Sequence, residues 1–389
     1  MDRIYLDCAA TTPLDQTVFK EMLPYFEQDF GNPSSAHYFG QVGEEAVEKS
    51  RTLILELLNA GGYEVCFTSG GSESDNLAIR GIAFEKRRRE GADTILYSSV
   101  EHPALKKTVL QMKEMHGFKI AELRVDNNGL LDLEDLQSKL NDRVALVSVI
   151  HGNNEIGTLN PVKEIAQICH QKGVMLHIDA VQSCAHEDIN LNDIDADLMS
   201  MSAHKFYGPK GVGALVFRKG IALQPQISGG GQESGFRAGT HNVPSIVGMA
   251  KALELTYKDI QEESNRLRTM RDRIIDQIFE KIQGSQITGD KEYRLPNHAS
   301  FVISGVNGNT LLMALDMAGF AVSSGSACKV GNPKPSDVLI ALGIPPGLAM
   351  GSLRVTLGRM NTSGQVEQFI NVLPKIVEKL RSSNERGSE

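Results

Sequence analysis

Apolar stretches of strand length alternate with amphipathic, helix-like stretches along the first 220 residues of this chain. The strand-like stretches are residues 64–68, 94–98, 119–125, 144–150, 174–179, 198–201 and 213–217. Most of the intervening stretches place apolar side chains three and four positions apart, which is the period of a helix packed on one face. Strands that alternate with helices favour a sheet whose strands are mainly parallel. The pattern therefore predicts an α/β fold.

Polar side chains follow several of these strands directly. They belong to residues 69–76, His102, Asn154, Asp179, Gln182 and Lys205. The carboxyl ends of parallel strands meet at one edge of a sheet, and ligands bind there. Several polar groups that converge on one edge indicate a site more strongly than any one of them does alone.

Asp179 and Lys205 define the chemistry expected at this edge. Asp179 ends the apolar stretch 174–178, and Lys205 follows the stretch 198–201 together with Ser202 and His204. A buried carboxylate needs a cationic partner, and a lysine in a polar loop can form an imine or act as a base. A protonated pyridine nitrogen is such a cation. A pyridine cofactor that also carries an aldehyde would form the imine with Lys205. The pair therefore predicts a pyridoxal-phosphate site.

A glycine-rich turn between a strand and a helix is a candidate phosphate site. Gly70, Gly71 and Ser72 lie between the stretch 64–68 and the helical stretch 77–88. Free N–H groups and the helix dipole favour an anion at such a turn. A second interpretation is that Ser72 caps the helix, because Asp75 has the spacing of a capping box. No GKS or GKT follows, so the turn is not a Walker loop.

Composition excludes several classes of protein. The chain has 389 residues, enough for two domains, and a net charge of -8, which argues against nucleic acid or a membrane surface as the main partner. Neither a signal sequence nor a membrane-spanning stretch is evident. The 5 cysteines lack the regular spacing of a disulfide framework. We therefore expect a cytoplasmic protein without a membrane or direct nucleic-acid partner.

One cysteine differs from the others in its surroundings. Cys8, Cys66, Cys169 and Cys184 lie in apolar strand or helix contexts that are typical of core residues. Cys328 instead lies in a loop of serine and glycine and precedes Lys329, which favours the thiolate. The histidine and cysteine spacings match no zinc template, so no metal site is expected.

Several motifs together resemble those of a known family, over residues 4–380. The motifs are YLDCAATTP, FTSGGSESDN, EHPA, NNEIGT, HIDAVQS, SAHKFYGPKG, GGGQESGFRAGT, SSGSAC and SLRVTLGR. They are similar to those of the cysteine desulfurases of the NifS/IscS type, pyridoxal-phosphate enzymes of the class-V aminotransferase family and fold type I. The resemblance implies a large cofactor-binding domain at residues 15–258, with a mainly parallel seven-stranded sheet between helices. Residues 1–14 and 259–389 would form a smaller α+β domain that carries Cys328.

The resemblance also implies a role for each matching residue. Lys205 would form the imine with the cofactor, Asp179 would pair with the ring nitrogen, and Gln182 would hydrogen-bond the ring hydroxyl. His102 would stack on the ring and assist proton transfer. The phosphate would be held by Gly71, Ser72, Ser202 and His204, and by Thr240 of the partner in a homodimer. Asn154 would contact cofactor and substrate, Arg354 would bind the substrate carboxylate, and Cys328 would accept sulfur.

The implied reaction converts L-cysteine to L-alanine and leaves the sulfur on Cys328 as a persulfide. An acceptor protein would then take the sulfur for iron–sulfur cluster assembly or for tRNA or cofactor thiolation. The alternatives are a selenocysteine lyase, another β-lyase or aminotransferase with the same cofactor, and a sulfur-relay scaffold without catalysis. A serine acyl-enzyme is disfavoured: residues 202–205 fit SxxK and 74–76 fit SDN, but the order is reversed and KTG is missing.

Overall fold

The computed structural model describes residues 3–324 and 334–386. Within these ranges the strands, in chain order, are β1 (Ile4–Tyr5), β2 (Tyr63–Thr68), β3 (Thr94–Ser98), β4 (Lys119–Leu123), β5 (Val144–Ile150), β6 (Leu176–Asp179), β7 (Leu198–Ser202), β8 (Gly213–Arg218), β9 (Ser285–Ile287), β10 (His298–Ile303), β11 (Phe320–Ala321) and β12 (Ser352–Thr356).

The helices between and after these strands cover most of the remaining chain. In order they are α1 (Gln16–Met22), α2 (Pro24–Glu27), α3 (Tyr38–Leu57), α4 (Gly71–Glu90), α5 (Pro103–His116), α6 (Leu133–Lys139), α7 (Val162–His170), α8 (Leu191–Ile194), α9 (Val243–Lys258), α10 (Ile260–Lys281), α11 (Gly308–Met317), α12 (Asp337–Ala341), α13 (Pro346–Ala349) and α14 (Ser363–Arg386).

The largest sheet has seven strands in the order β2-β8-β7-β6-β5-β3-β4. Neighbouring strands from β7 to β4 are parallel, whereas β8 is antiparallel to both β7 and β2. Successive residues of a strand alternate between the two faces. Leu146 of β5 accordingly packs with α4 and α5, while Val147 packs in the core on the opposite face, with α3, α7 and α9. The predicted α/β fold with a mainly parallel sheet is confirmed.

A second core lies around the antiparallel sheet β12-β10-β9. Helices α10, α11 and α14 pack on it, and Ile4 and Leu6 from the amino terminus belong to the same cluster as Phe301 and Phe369. The division into a large and a small domain, with limits at residues 14 and 259, stays a prediction.

Two segments differ from the sequence-based expectation. The sequence of residues 243–283 predicts one long helical segment, but α9 and α10 are separated at Asp259, whose φ of -125° and ψ of 21° leave the helical region. The polar composition of the tail from residue 382 predicts disorder, but α14 continues to Arg386. Arg381 helps to hold α14 in place because it donates to the carbonyl oxygens of Ser304 and Gln283.

Candidate active site

A cavity of about 270 Å³ opens at the carboxyl edge of the seven-stranded sheet. Ten residues singled out from the sequence line it: Gly71, Ser72, His102, Asn154, Asp179, Gln182, Ser202, His204, Lys205 and Arg354. Thr240 is exposed and is not among the lining residues. Cys328 lies outside the described residues. The convergence predicted from the strand ends therefore brings together all but two of the predicted residues.

Chain topology explains this convergence. Asp179 is the last residue of β6, and β6 pairs with β7, which ends at Ser202. A 3₁₀ turn, Ala203–Lys205, follows β7 directly and carries Lys205 to the cavity. The first residue of α4 and the cap of α5 come from the ends of β2 and β3, so they reach the same edge.

Lys205 is held against the amino-terminal segment. Its Nζ donates to the carbonyl oxygens of Ala9 at 2.7 Å and Ala10 at 2.8 Å. Burial lowers the pKa of Lys205 to about 8, and the positive charge of Arg354 acts in the same direction. A lysine with this pKa has a much larger neutral, nucleophilic fraction near neutral pH than an ordinary lysine.

Asp179 is a buried acid that lacks a side-chain cation. It is 3% exposed, and its Oδ1 accepts a hydrogen bond of 3.0 Å from the N–H of Val181. In residues 3–324 and 334–386, no lysine, arginine or histidine forms an ion pair with it. Burial raises its pKa, and the nearby His102 and Lys205 oppose that effect. A pyridinium nitrogen in the cavity would supply the missing positive partner.

The start of α4 forms an anion cradle. Gly70, with a φ of 153°, occupies the N-cap position of α4. Because glycine has no side chain, it gives the first N–H groups of the helix no capping hydrogen bond. Ser72 lies inside the helix, so the interpretation of Ser72 as the cap is wrong. A Cβ on Gly71 would lie 2.6 Å from Cγ2 of Val181, so only glycine fits here without displacement. Free N–H groups beside Ser202 match a phosphate.

His102 is oriented by its role as the cap of α5. Its Nδ1 accepts a hydrogen bond of 3.1 Å from the N–H of Ala104, which places the proton of the neutral ring on Nε2. Burial lowers the pKa of His102, with Lys205 contributing, whereas Asp179 opposes the shift. The ring is therefore a neutral imidazole at the cavity wall.

Arg354 does not use all five of its N–H donors within the protein. Its Nη1 donates to the carbonyl oxygen of Asn154 at 2.8 Å and its Nη2 to Oδ1 of Asp7 at 2.8 Å. Its buried Nε has no hydrogen-bond partner. A guanidinium with a spare donor beside the cavity is suited to a carboxylate ligand.

Sequence reasoning missed two cavity contacts. The side chains of Ala9 and Ala10 carry no functional group, yet their backbone carbonyl oxygens hold the amine of Lys205. Asp75 was considered only for capping, yet it lines the cavity, is 1% exposed and leaves its Oδ1 without a hydrogen-bond partner. Helical periodicity and capping motifs in the sequence indicate neither contact, because both contacts form between segments that are far apart in the chain.

A fold of this kind, with a buried acid and a lysine of lowered pKa on adjacent strand ends, defines a pyridoxal-phosphate enzyme of fold type I. Comparison with known proteins gives the same class of enzyme. Residues 4–369 match the family model described as aminotransferase class-V. The cysteine desulfurase IscS of Clostridium botulinum (strain Hall) is 44% identical over 381 residues, which cover 97% of this chain and 95% of the relative. The cysteine desulfurase IscS 1 of Archaeoglobus fulgidus is also 44% identical, over 97% and 98%.

Solved structures give the same result. A NifS-like protein superposes with a TM-score of 0.89 at 34% identity, over 97% of this chain and 99% of that chain. A structure described as SspA in complex with cysteine has a TM-score of 0.79 at 31% identity, over 91% and 98%. The chain belongs to the class-V aminotransferase family and, within it, to the cysteine desulfurases, which are pyridoxal-phosphate-dependent enzymes.

Two further findings concern other kinds of ligand and environment. Across residues 3–324 and 334–386, no group of three or more histidine, cysteine, aspartate or glutamate side chains is arranged to hold a metal ion. In the same part of the chain, every helix is too short or too polar to cross a membrane.

Proposed function

We propose that L-cysteine is desulfurated in the cavity between Lys205 and Asp179, and that Cys328 receives the sulfur. The observation that carries this proposal is the pairing of a lysine whose pKa is lowered to about 8 with a buried acid that lacks a cation, at one edge of one sheet. Pyridoxal phosphate would be held by Lys205 at its aldehyde carbon and by Asp179 at its ring nitrogen.

The phosphate end of the cofactor would lie on the first turn of α4. Gly71 and Ser72 of that turn, with Ser202 and His204 from the end of β7, line the cavity together. Burial lowers the pKa of His204 to about 4, so its ring is neutral and hydrogen-bonds without adding charge. Gln182 also lines the cavity, and its Nε2 donates to the carbonyl oxygen of Ala9 at 2.8 Å.

The bound cofactor supplies an electron-withdrawing ring that stabilises negative charge on the α-carbon of the substrate. Arg354 lines the cavity and would bind the substrate carboxylate through guanidinium N–H groups that it does not use within the protein, with Asn154 beside it. Nζ of Lys205, once neutral, would take the α-proton, and Asp179 would keep the ring nitrogen protonated. The Nε2 proton of His102 would be available for transfer at the cavity wall.

The states of the four described cysteines support Cys328 as the sulfur acceptor, the role that the family resemblance implies. Burial raises the pKa of Cys8 and of Cys169 to about 12, and it raises the pKa of Cys66 and Cys184 further. These four are buried thiols at neutral pH and cannot act as nucleophiles. Cys328 remains. Its thiolate would attack the substrate sulfur, and the Cβ–S bond would break with its electron pair leaving on carbon. Protonation of that carbon would give alanine, and the sulfur would remain on Cys328 as a persulfide.

The partners are inferred from family likeness and from one exposed residue. Thr240 is exposed at the end of the loop that follows Gly229, and by family likeness it would contact the phosphate bound in a second copy of a homodimer. The relatives are named cysteine desulfurases, and delivery of the sulfur to an acceptor protein for iron–sulfur cluster assembly or for tRNA or cofactor thiolation stays a prediction. A cytoplasmic location stays a prediction.

The test uses purified protein loaded with pyridoxal phosphate. We expect alanine and sulfide to form from cysteine in the presence of a thiol reductant, and a persulfide on Cys328 to be detectable by mass spectrometry without it. Cys328→Ser should keep the cofactor absorption band and lose desulfuration, whereas Cys169→Ala, at a buried cysteine in α7, should keep both. Desulfuration by Cys328→Ser at the original rate would refute the assignment. Failure of the protein to take up the cofactor would refute the whole proposal.

A further inference from the structure

A hydrogen bond joins the loop that lines the substrate side of the cavity to the start of α12. Oγ of Ser336 donates to Oε2 of Glu155 at 2.5 Å. Glu155 follows Asn154, whose carbonyl oxygen accepts from Arg354. Ser336 directly precedes α12, so this bond connects the cavity loop to the amino-terminal end of that helix. Burial raises the pKa of Glu155, and the bond from Ser336 opposes that shift.

Ser336 is also the N-cap of α12. Its Oγ accepts from the N–H groups of Val338 at 3.1 Å and Leu339 at 3.3 Å, so it caps α12. The hydroxyl proton is then left for Glu155. One side chain thus both starts the helix and fastens it to the cavity loop.

Apolar packing places α12 against the same wall. Val338 and Leu339 share a buried cluster with Val100, Ile150 and Ile156. Ile150 itself lines the cavity and ends β5. The Glu155–Ser336 bond is therefore a polar contact on top of an apolar docking surface, and its loss would not by itself release the helix.

The chain just before residues 325–333 is hydrogen-bonded to Arg354, which also contacts the cavity loop. The N–H of Ser323 donates to the carbonyl oxygen of Arg354 at 3.1 Å, and the N–H of Arg354 donates back at 2.7 Å. Both flanks of the segment that contains Cys328 are thus attached to Arg354 or to the loop of Asn154 and Glu155.

We propose that Glu155 is a positioning residue for sulfur transfer: its bond to Ser336 fixes the downstream flank of the Cys328 segment to the part of the cavity that binds the substrate carboxylate. This inference rests on the proposed role of Cys328. Glu155 does not touch the reacting atoms. It acts through Ser336, so we expect its loss to slow the arrival of sulfur at Cys328 much more than it changes cofactor loading or cysteine binding, to which it contributes only through its charge near Arg354.

Four variants separate this role from capping and from folding. Glu155→Ala removes the acceptor, and Glu155→Gln keeps an acceptor oxygen. Ser336→Asp keeps a capping side chain but opposes the carboxylate of Glu155, and Ser336→Thr keeps both the cap and the donor. Asp337→Asn is the matched control, because it removes the charge of the 3.4 Å ion pair between α12 and Lys106 and keeps the hydrogen bond between Ser336 and Glu155.

The measurements are the single-turnover rate of persulfide formation on Cys328, followed by mass spectrometry, and the cysteine dependence of the cofactor absorption change. Misplacement of a reacting group costs up to about 100-fold in rate. We expect Glu155→Ala and Ser336→Asp to slow persulfide formation by roughly 10- to 100-fold, with half-saturation by cysteine changed less than about threefold. Glu155→Gln, Ser336→Thr and Asp337→Asn should stay within about threefold of the unmodified protein.

The double variant Glu155→Ala/Ser336→Asp completes the test. Residues that act through one bond are non-additive, so it should be no slower than the slower single variant. Unchanged persulfide rates in Glu155→Ala, or additive losses in the double variant, would overturn the proposal. So would an equal loss of cysteine binding, which would place Glu155 in the binding site. Continued desulfuration by Cys328→Ser would refute the proposed sulfur acceptor instead, and thus the two failures are distinguishable.

Discussion

Replacement of Lys205 by methionine should stabilise the cofactor-free protein at neutral pH. Burial lowers the pKa of Lys205 from 10.5 to about 8, which at 1.36 kcal/mol per pKa unit corresponds to about 3.4 kcal/mol of penalty on the charged amine. Methionine removes that charge and keeps an unbranched side chain of similar length.

The loss of hydrogen bonds offsets part of this gain. Ala9 O keeps the amide of Gln182 as a donor at 2.8 Å, but Ala10 O loses the amine of Lys205. One unsatisfied carbonyl costs about 1 kcal/mol. The net expectation for Lys205→Met is therefore a gain of about 2 kcal/mol in the free energy of unfolding at pH 7.

The pH dependence gives the sign of the effect. Below pH 8 the amine is protonated in both the folded and the unfolded chain, so the full penalty is present. Above pH 8 the folded chain releases its proton first, and the unfolded chain binds more protons until pH 10.5. Unmodified protein therefore gains stability over this window, and the advantage of Lys205→Met should shrink by about 2 kcal/mol between pH 8 and 9.5.

Urea unfolding of cofactor-free protein between pH 6.5 and 9.5 measures this difference. Lys205→Arg is the control, because it keeps the positive charge and should give no gain at pH 7. A methionine variant that is less stable than the unmodified protein at pH 7, or an advantage that does not change with pH, would show that the amine carries no burial penalty.

Three further substitutions test the cavity. Asp7→Asn removes the carboxylate that holds Arg354 at 2.8 Å, so the KM for cysteine should rise about tenfold in steady-state assays with the cofactor band unchanged. Gly71→Ala places a Cβ 2.6 Å from Cγ2 of Val181, so titration with pyridoxal phosphate should show affinity at least about tenfold lower. Asp179→Asn should keep the covalently attached cofactor and lower alanine formation by at least about 100-fold. An unchanged KM, affinity or rate, respectively, would contradict the corresponding role.

The sequence predicts the sheet and most of the cavity because both depend on local patterns. Strands that alternate with helices favour parallel pairing, and parallel pairing brings the carboxyl ends of the strands together. The placement of Asp179, Lys205 and His102 around one cavity follows from that rule with few further assumptions. The starts of helices follow less directly from the sequence. The apolar pattern predicts a helix over residues 77–88, but α4 begins at Gly71. The pattern places the start too late because the first turn of α4 has no apolar side chains.

Contacts between distant segments could not be predicted in the same way. The acceptors of the Lys205 amine are backbone carbonyl oxygens of residues 9 and 10, and any small residues there would give the same sequence signal. The pair of Arg354 with Asp7 joins positions 347 residues apart. The bond between Glu155 and Ser336 spans 181 residues. These three contacts depend on how distant parts of the chain pack together, and the local periodicity of the sequence gives no information about that packing.

The buried acids around the cavity show why Asp179 is the one that serves the ring nitrogen. Burial raises the pKa of Glu101 to about 8, so it is neutral at pH 7. Asp75 is raised well above its usual range by burial and by Asp179, and its nearest imidazole, His177, lies 3.8 Å away with a pKa lowered to about 3 by burial. No positive group opposes the rise in the pKa of Glu101 or Asp75, whereas the sites of His102 and Lys205 oppose the rise in the pKa of Asp179, which also accepts a hydrogen bond from the N–H of Val181. A single negative charge in this pocket therefore settles on Asp179, because adjacent buried carboxylates cannot all ionise without positive partners.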